Sequence, residues 1–124
     1  MIFADMLENV FTKFHFTVRV ENDLEHDKLV QHLKKVSEID HGPYDCFICC
    51  ILSHGVFGGI YGTDGITVPI KDLAFHFKPT SCPSLRGKPK LFFIQACQGD
   101  EQQAGSPGVW LSFLLCSLGM YEIQ

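Results

Sequence analysis

Two residues in this chain have the types and the setting to do covalent chemistry together. They are Cys97, within Gln95-Ala96-Cys97-Gln98-Gly99, and His54, within Leu52-Ser53-His54-Gly55. A thiol with an unperturbed pKa near ~8.5 is only a few per cent thiolate at neutral pH, and the thiolate is the nucleophile. An imidazole, with a pKa of about 6.5, stabilises that thiolate or protonates a departing amine. Gly55 would let the backbone turn sharply after His54. Its N–H and that of Cys97 would hold a developing oxyanion, a contribution typically worth ~2.7–4 kcal/mol. This set of roles points to a cysteine peptidase.

The two residues lie 43 positions apart, so the fold must bring them together. Each ends an apolar run that reads as a buried strand: Cys46-Phe47-Ile48-Cys49-Cys50-Ile51-Leu52 and Lys90-Leu91-Phe92-Phe93-Ile94-Gln95. In an open α/β sheet, groups at the carboxyl ends of strands project into one shared crevice. Taken singly, a strand cysteine is usually a small buried hydrophobe, and a His-Gly pair after a strand is usually a turn. Both motifs on strand ends together favour the reactive pair.

The remaining elements follow from periodicity. Ile2, Phe3, Met6, Leu7, Val10, Phe11 and Phe14 recur at helical spacing, which predicts an amphipathic helix over residues 1–14. Phe16, Val18 and Val20 alternate with Thr17 and Arg19, predicting a half-buried strand. Asn22 or Asp23 is placed to cap a helix to about Glu38, with Leu24, Leu29, Leu33 and Val36 as its apolar stripe. Asp40-His41-Gly42-Pro43 ends it. After the central strand, Gly58-Gly59 and Asp64-Gly65 mark a small hairpin, with Asp64 a turn former rather than an acid catalyst. Ile70 to Phe77 predicts a short helix, on whose face His76 lies, and residues 79–89 connect to the last strand. Phe92 and Phe93 read as core packing on opposite faces. Strand–helix–strand order with apolar runs predicts an α/β fold with a parallel sheet.

Composition narrows the class. At 124 residues, 46% hydrophobic and 19% charged, the chain is long enough for one domain burying about two-thirds of its unfolded surface. The net charge of −4, without a lysine or arginine cluster, argues against nucleic acid as a partner. Cys46, Cys49 and Cys50 share one run in which alternation sends Cys49 to the opposite face, a poor arrangement for bridging. Cys46-x-x-Cys49 has no second Cys/His pair at metal spacing, so no metal or other cofactor is expected. A reduced cytoplasmic chain with buried thiols fits better. The first residues lack a basic start of the signal-peptide kind. The apolar run from Val109 to Met120 covers 12 residues, short of the ~20 needed to span a bilayer.

The motifs also carry a resemblance. Gln-Ala-Cys-Gln-Gly with a histidine upstream resembles a known caspase signature. Residues 45–55, Ile60-Tyr61-Gly62-Thr63-Asp64-Gly65, Cys82-Pro83-Ser84-Leu85 and residues 87–100 all resemble the caspase large subunit, especially that of the death-receptor initiators. The similarity runs to about Gly105, giving a large-subunit-like domain at 1–105 and a non-family apolar tail at 106–124. The resemblance implies an open, mostly parallel sheet flanked by helices. It implies Cys97 as nucleophile, His54 as general acid/base, Gly55 and Cys97 as oxyanion donors, and Gln95 in the pocket for a substrate aspartate. The activity implied is cleavage of peptides and proteins after aspartate in apoptotic signalling.

Departures from the family pattern set further expectations. The family's first strand, with an arginine for the substrate carboxylate nearby, has no counterpart, and neither does the small subunit. Arg19 and Arg86 sit elsewhere in the pattern. The chain therefore resembles a large subunit shortened at both ends. The competing reading is a catalytically deficient caspase-like regulator, or an incomplete gene product, that binds a caspase or an adaptor. In the family, the missing strand lies between those at Phe16–Val20 and Cys46–Leu52. Its loss predicts a gap with unpaired backbone groups and self-association, because the irregular tail gives no sign of a replacement strand.

Overall fold

A computed structural model describes the backbone of residues 2–56, 58–97 and 111–119. The chain opens with helix α1 (Ile2–Lys13), reverses at His15 in the left-handed region (φ 68), and enters strand β1 (Phe16–Asn22). Helix α2 (His26–Glu38) follows, then the long strand β2 (Tyr44–Val56). A hairpin of β3 (Gly59–Tyr61) and β4 (Thr67–Pro69) leads into the short helix α3 (Ile70–Phe75). A 3-10 turn at Pro83–Leu85 precedes β5 (Lys90–Cys97), and β6 (Leu111–Gly119) completes the sheet.

β2 is the spine. Phe47 through Ser53 are all buried, so this strand has core on both faces, which is why its sequence is a continuous apolar run rather than an alternating one. On one face, Ile48, Cys50 and Leu52 pack with Ala4, Leu7 and Phe11 of α1. On the other, Phe47, Cys49 and Ile51 meet Leu29, Leu33 and Val36 of α2. Phe47 stacks on Phe77 at 4.6 Å between ring centroids, and Phe92 closes against Phe77 at 5.9 Å. Cys49 and Cys50 thus part to opposite faces, as alternation predicts, and the five described cysteines are free. Among the described residues, no helix is long and apolar enough to cross a membrane.

The tail overturns one expectation. Leu111–Gly119 is a strand, inserted antiparallel between β1 and β2, where the gap was predicted. Cys116 lies opposite Val18 on one side and Ile48 on the other. Leu114 and Cys116 join the α1-side core and Leu115 the α2-side core, all at 0–2% exposure. The pattern that looked irregular for a half-buried strand is what a strand buried on both faces requires. β1, β2 and β5 share one direction and β6 runs against them, so the sheet is mostly parallel in strand direction, while only β2–β5 is a parallel ladder.

Two smaller expectations also change. α2 begins at His26, not after Asn22 or Asp23. Asn22 ends β1, and Asp23 occupies a left-handed turn (φ 58) too early to reach the helix N–H groups. Phe93 is not core. Phe93 and Leu91 are 56% and 47% exposed because α1 covers β2 and β6 but leaves that face of β5 bare.

Candidate active site at the ends of two parallel strands

The β2–β5 ladder runs in register from Phe47↔Lys90 to His54↔Cys97. His54 and Cys97 are therefore partners across the last rung, on strands about 4.7–4.9 Å apart. The two apolar runs pair side by side in parallel, β2 buried on both faces but β5, expected as a buried strand, covered only on its α2 side, and parallel pairing brings their carboxyl ends to the same edge. This is how residues 43 positions apart become neighbours. The expected orientation of the imidazole and thiol into one crevice lies outside the described residues, as do Gln98, Gly99 and the segment 106–110.

Gly55 is not the turn the sequence suggested. β2 continues through Gly55 and Val56, which pair with Ile60 and Gly59 of β3. The left-handed residue at the reversal is Gly58 (φ 78), three positions later. The backbone at Gly55 is thus fixed by a hairpin ladder. Gln95 is opposite Leu52 on the exposed α1 side of β5. There it lines a groove of about 380 Å³ with Leu7, Phe11, Cys50, Leu52 and Phe93. Arg19 sits on β1 at the level of Leu115 and Cys49, across β6 and β2 from Cys97's strand. Arg86 lies before β5, at the opposite end of a strand whose eight residues span roughly 23 Å to Cys97. Neither arginine is positioned to meet a substrate carboxylate there.

Three of the described thiols are structural. Burial pushes Cys49 well above the ordinary thiol range, Cys50 up to about 11, and Cys116 up to about 12, the last with help from Cys50, Cys46 and Glu8. Such thiols hold their protons and stay inert. His41, fully buried, is fixed by a 2.8 Å hydrogen bond between its Nε2 and the Val36 carbonyl, and burial lowers its pKa.

Sequence reasoning treated Asp64 as a turn former and passed over His26; the fold joins them. The Asp64 carboxylate accepts from the His26 backbone N–H (3.3 Å) and from that of Ile66 (3.2 Å), and contacts His26 Nδ1 at 2.6 Å. It caps α2 from across the chain, satisfying an N–H that Glu25 leaves uncapped. No local S/T/D/N signal could reveal a cap 38 residues away. With Asp27, these residues bring ligand-type atoms within 4.8 Å of one another, yet capping and the positive end of the helix dipole account for both carboxylates without a cation.

Comparison with known proteins agrees with this geometry. The Caspase domain family model matches residues 4–109, ending just before β6. The chain is 47% identical to Caspase-8 of Mus musculus over 103 residues, covering 83% of this chain and 22% of that protein. It is 44% identical to Caspase-9 of Homo sapiens, covering 82% and 26%. With Caspase-3 of Felis catus it shares 48%, covering 82% and 36%. The chain thus spans about a fifth to a third of the length of these relatives. A match of this extent, over a fold whose parallel ladder ends on His54 opposite Cys97, establishes that the chain belongs to the caspase family.

Proposed function

We propose that this chain is a caspase-type cysteine endopeptidase domain of apoptotic proteolysis, acting in the cytoplasm on protein substrates with aspartate at the cleavage site. The pairing of His54 with Cys97 at the end of the β2–β5 ladder carries the reading. The Cys97 thiolate attacks the scissile carbonyl carbon, and the resulting oxyanion accepts hydrogen bonds from the N–H groups of Gly55 and Cys97. Collapse breaks the C–N bond as His54 protonates the departing amine. Water, deprotonated by His54, then releases the acid and regenerates the thiol. Gln95, two residues before Cys97 and exposed on its strand, lines the pocket for the substrate aspartate.

A second reading, a regulator that binds a caspase or adaptor without cleaving, is favoured by the placement of Arg19 and Arg86. An aspartate carboxylate taken into a pocket without a cation costs several kcal/mol, and each ~1.4 kcal/mol is tenfold in rate. The isolated chain should therefore turn over aspartyl peptides slowly or not at all, while its dyad still activates Cys97. Alkylation with iodoacetamide at pH 7, followed by peptide mapping, tests the dyad, and His54→Ala should slow labelling of Cys97 by about tenfold or more. Labelling of Cys97 no faster than that of Cys46 refutes the peptidase reading. Robust aspartyl cleavage by the chain alone, abolished by Cys97→Ala, refutes the regulatory one.

A further inference from the structure

The loop at residues 62–66 is held against the start of α2 by contacts from both sides. Asp64 takes the His26 N–H and ring as described above. The Thr63 N–H donates to the Leu24 carbonyl (3.0 Å), and the Thr63 hydroxyl donates to the Asp23 carbonyl (3.3 Å). The approach is so close that a Cβ at Gly62 would lie 2.4 Å from the His26 nitrogen. This loop is the tip of the β3–β4 hairpin, and β3 is the strand that pairs with Gly55 and Val56. A second tie, the Ser53 hydroxyl to the Tyr61 carbonyl at 2.9 Å, joins the same hairpin to the residue before His54. A continuous backbone path thus leads from α2, through Asp64, to the His54–Gly55 end of β2.

We propose that His26 and Asp64 form a clasp that positions the His54–Gly55 backbone by pinning the β3–β4 hairpin to α2. The functional consequence rests on the reading of His54 and Cys97 as the reacting pair, with Gly55 as an oxyanion donor. The two are positioning residues: neither lies at the rung where His54 meets Cys97, and they act through the hairpin.

The clasp is an ion pair with a working range of pH. The hydrogen bond to Asp64 raises the pKa of His26, against partial desolvation, and the charges of Asp64, Asp27 and Glu25 facing it add to the rise. For Asp64, desolvation opposes ionisation, but the hydrogen bonds from the His26 ring and from the Ile66 and His26 N–H groups outweigh it and lower its pKa. A raised histidine contributes stability that is complete below its unfolded value of 6.5 and lost as pH rises through its folded value. A lowered carboxylate contributes stability that is complete above 3.8 and lost as pH falls through its folded value. The hairpin is held most firmly between those two unfolded values.

Amide hydrogen exchange across residues 55–61, together with the iodoacetamide labelling rate of Cys97 from pH 5 to 8.5, tests the clasp in the full chain. Asp64→Asn should raise exchange at 55–61 by about tenfold while leaving residues 47–51 of the β2 core protected. It should also slow Cys97 labelling several-fold. His26→Gln keeps a side-chain donor, so its effect should be smaller, but the loss of protection above pH 6.5 should vanish. The double variant should be no worse than Asp64→Asn alone. Exchange at 55–61 within about twofold of wild type in Asp64→Asn overturns the clasp, as does an equal rise at 47–51, which marks general destabilisation. Raised exchange with an unchanged rate and pH profile of Cys97 labelling overturns the positioning role. Should wild-type Cys97 label no faster than Cys46, the dyad reading falls by itself, and exchange at Gly55 still decides whether the clasp positions that backbone.

Discussion

Cutting the chain after Trp110 removes β6, and the structure sets what that should cost. Leu114, Leu115 and Cys116 are 0%, 2% and 0% exposed, and at ~1.5–3 kcal/mol each their loss forfeits roughly 5–8 kcal/mol. Cys116, the smallest, falls at the low end of that range. The loss alone is comparable to the ~5–15 kcal/mol net stability of a typical domain. It also understates the damage, because among the described strands β1 pairs only with β6. Without β6, β1 loses its ladder tie to β2, leaving only the packing of α1 on β2 to hold that side, and two strands expose unpaired N–H and C=O groups. The truncated chain should elute as aggregate or lose its cooperative melt, whereas the full chain should melt cooperatively. A milder probe is Leu114→Ala, at ~2–5 kcal/mol, which should lower the melting temperature by about 10–20 °C. Size-exclusion chromatography and thermal melting read both. A monodisperse truncated chain melting within about 5 °C of the full one would mean that β6 does not hold the sheet together.

Other outcomes follow from burial and charge. Cys49, Cys50 and Cys116 should stay unlabelled at pH 8 under conditions that alkylate Cys97, because burial holds them protonated; labelling of Cys50 at a rate comparable to Cys97 would contradict this. Phe47→Ala should destabilise by ~3–5 kcal/mol through loss of the stacked Phe77 contact, measurable as a lower urea midpoint with an unchanged slope. His41 should make the fold acid-sensitive: its folded pKa lies below the unfolded 6.5, so stability is complete above that value and declines as pH falls through it. His41→Gln should flatten that part of the stability profile, and an unchanged slope between pH 6.5 and 5 would assign the sensitivity to other groups.

Much of the site was legible in the chain because its information is local. The apolar runs ending at Leu52 and Gln95 announce strands, and parallel neighbours end on the same edge, so the two signature residues His54 and Cys97 are expected side by side from the sequence. The stripes of α1 and α2 were equally plain, since 3.6-residue periodicity is a property of neighbours in sequence. Phe93 was misjudged because exposure depends on what covers a strand, and α1 stops short of β5. The cap of α2 was missed because Asp64 reaches it from 38 residues away, and the tail because its pattern makes sense only once β1 and β2 are known to flank it. The sequence by itself therefore determined the helices and strands β1, β2 and β5, which follow from side-chain type and short-range spacing, and its family signature singled out His54 and Cys97 as the proposed reacting pair. Only the tertiary structure decided which strand stands between β1 and β2, where the chain turns after Gly55, and which carboxylate holds the start of α2. Those depend on unpaired backbone groups finding partners across long loops, and a list of residues does not specify which partner they find.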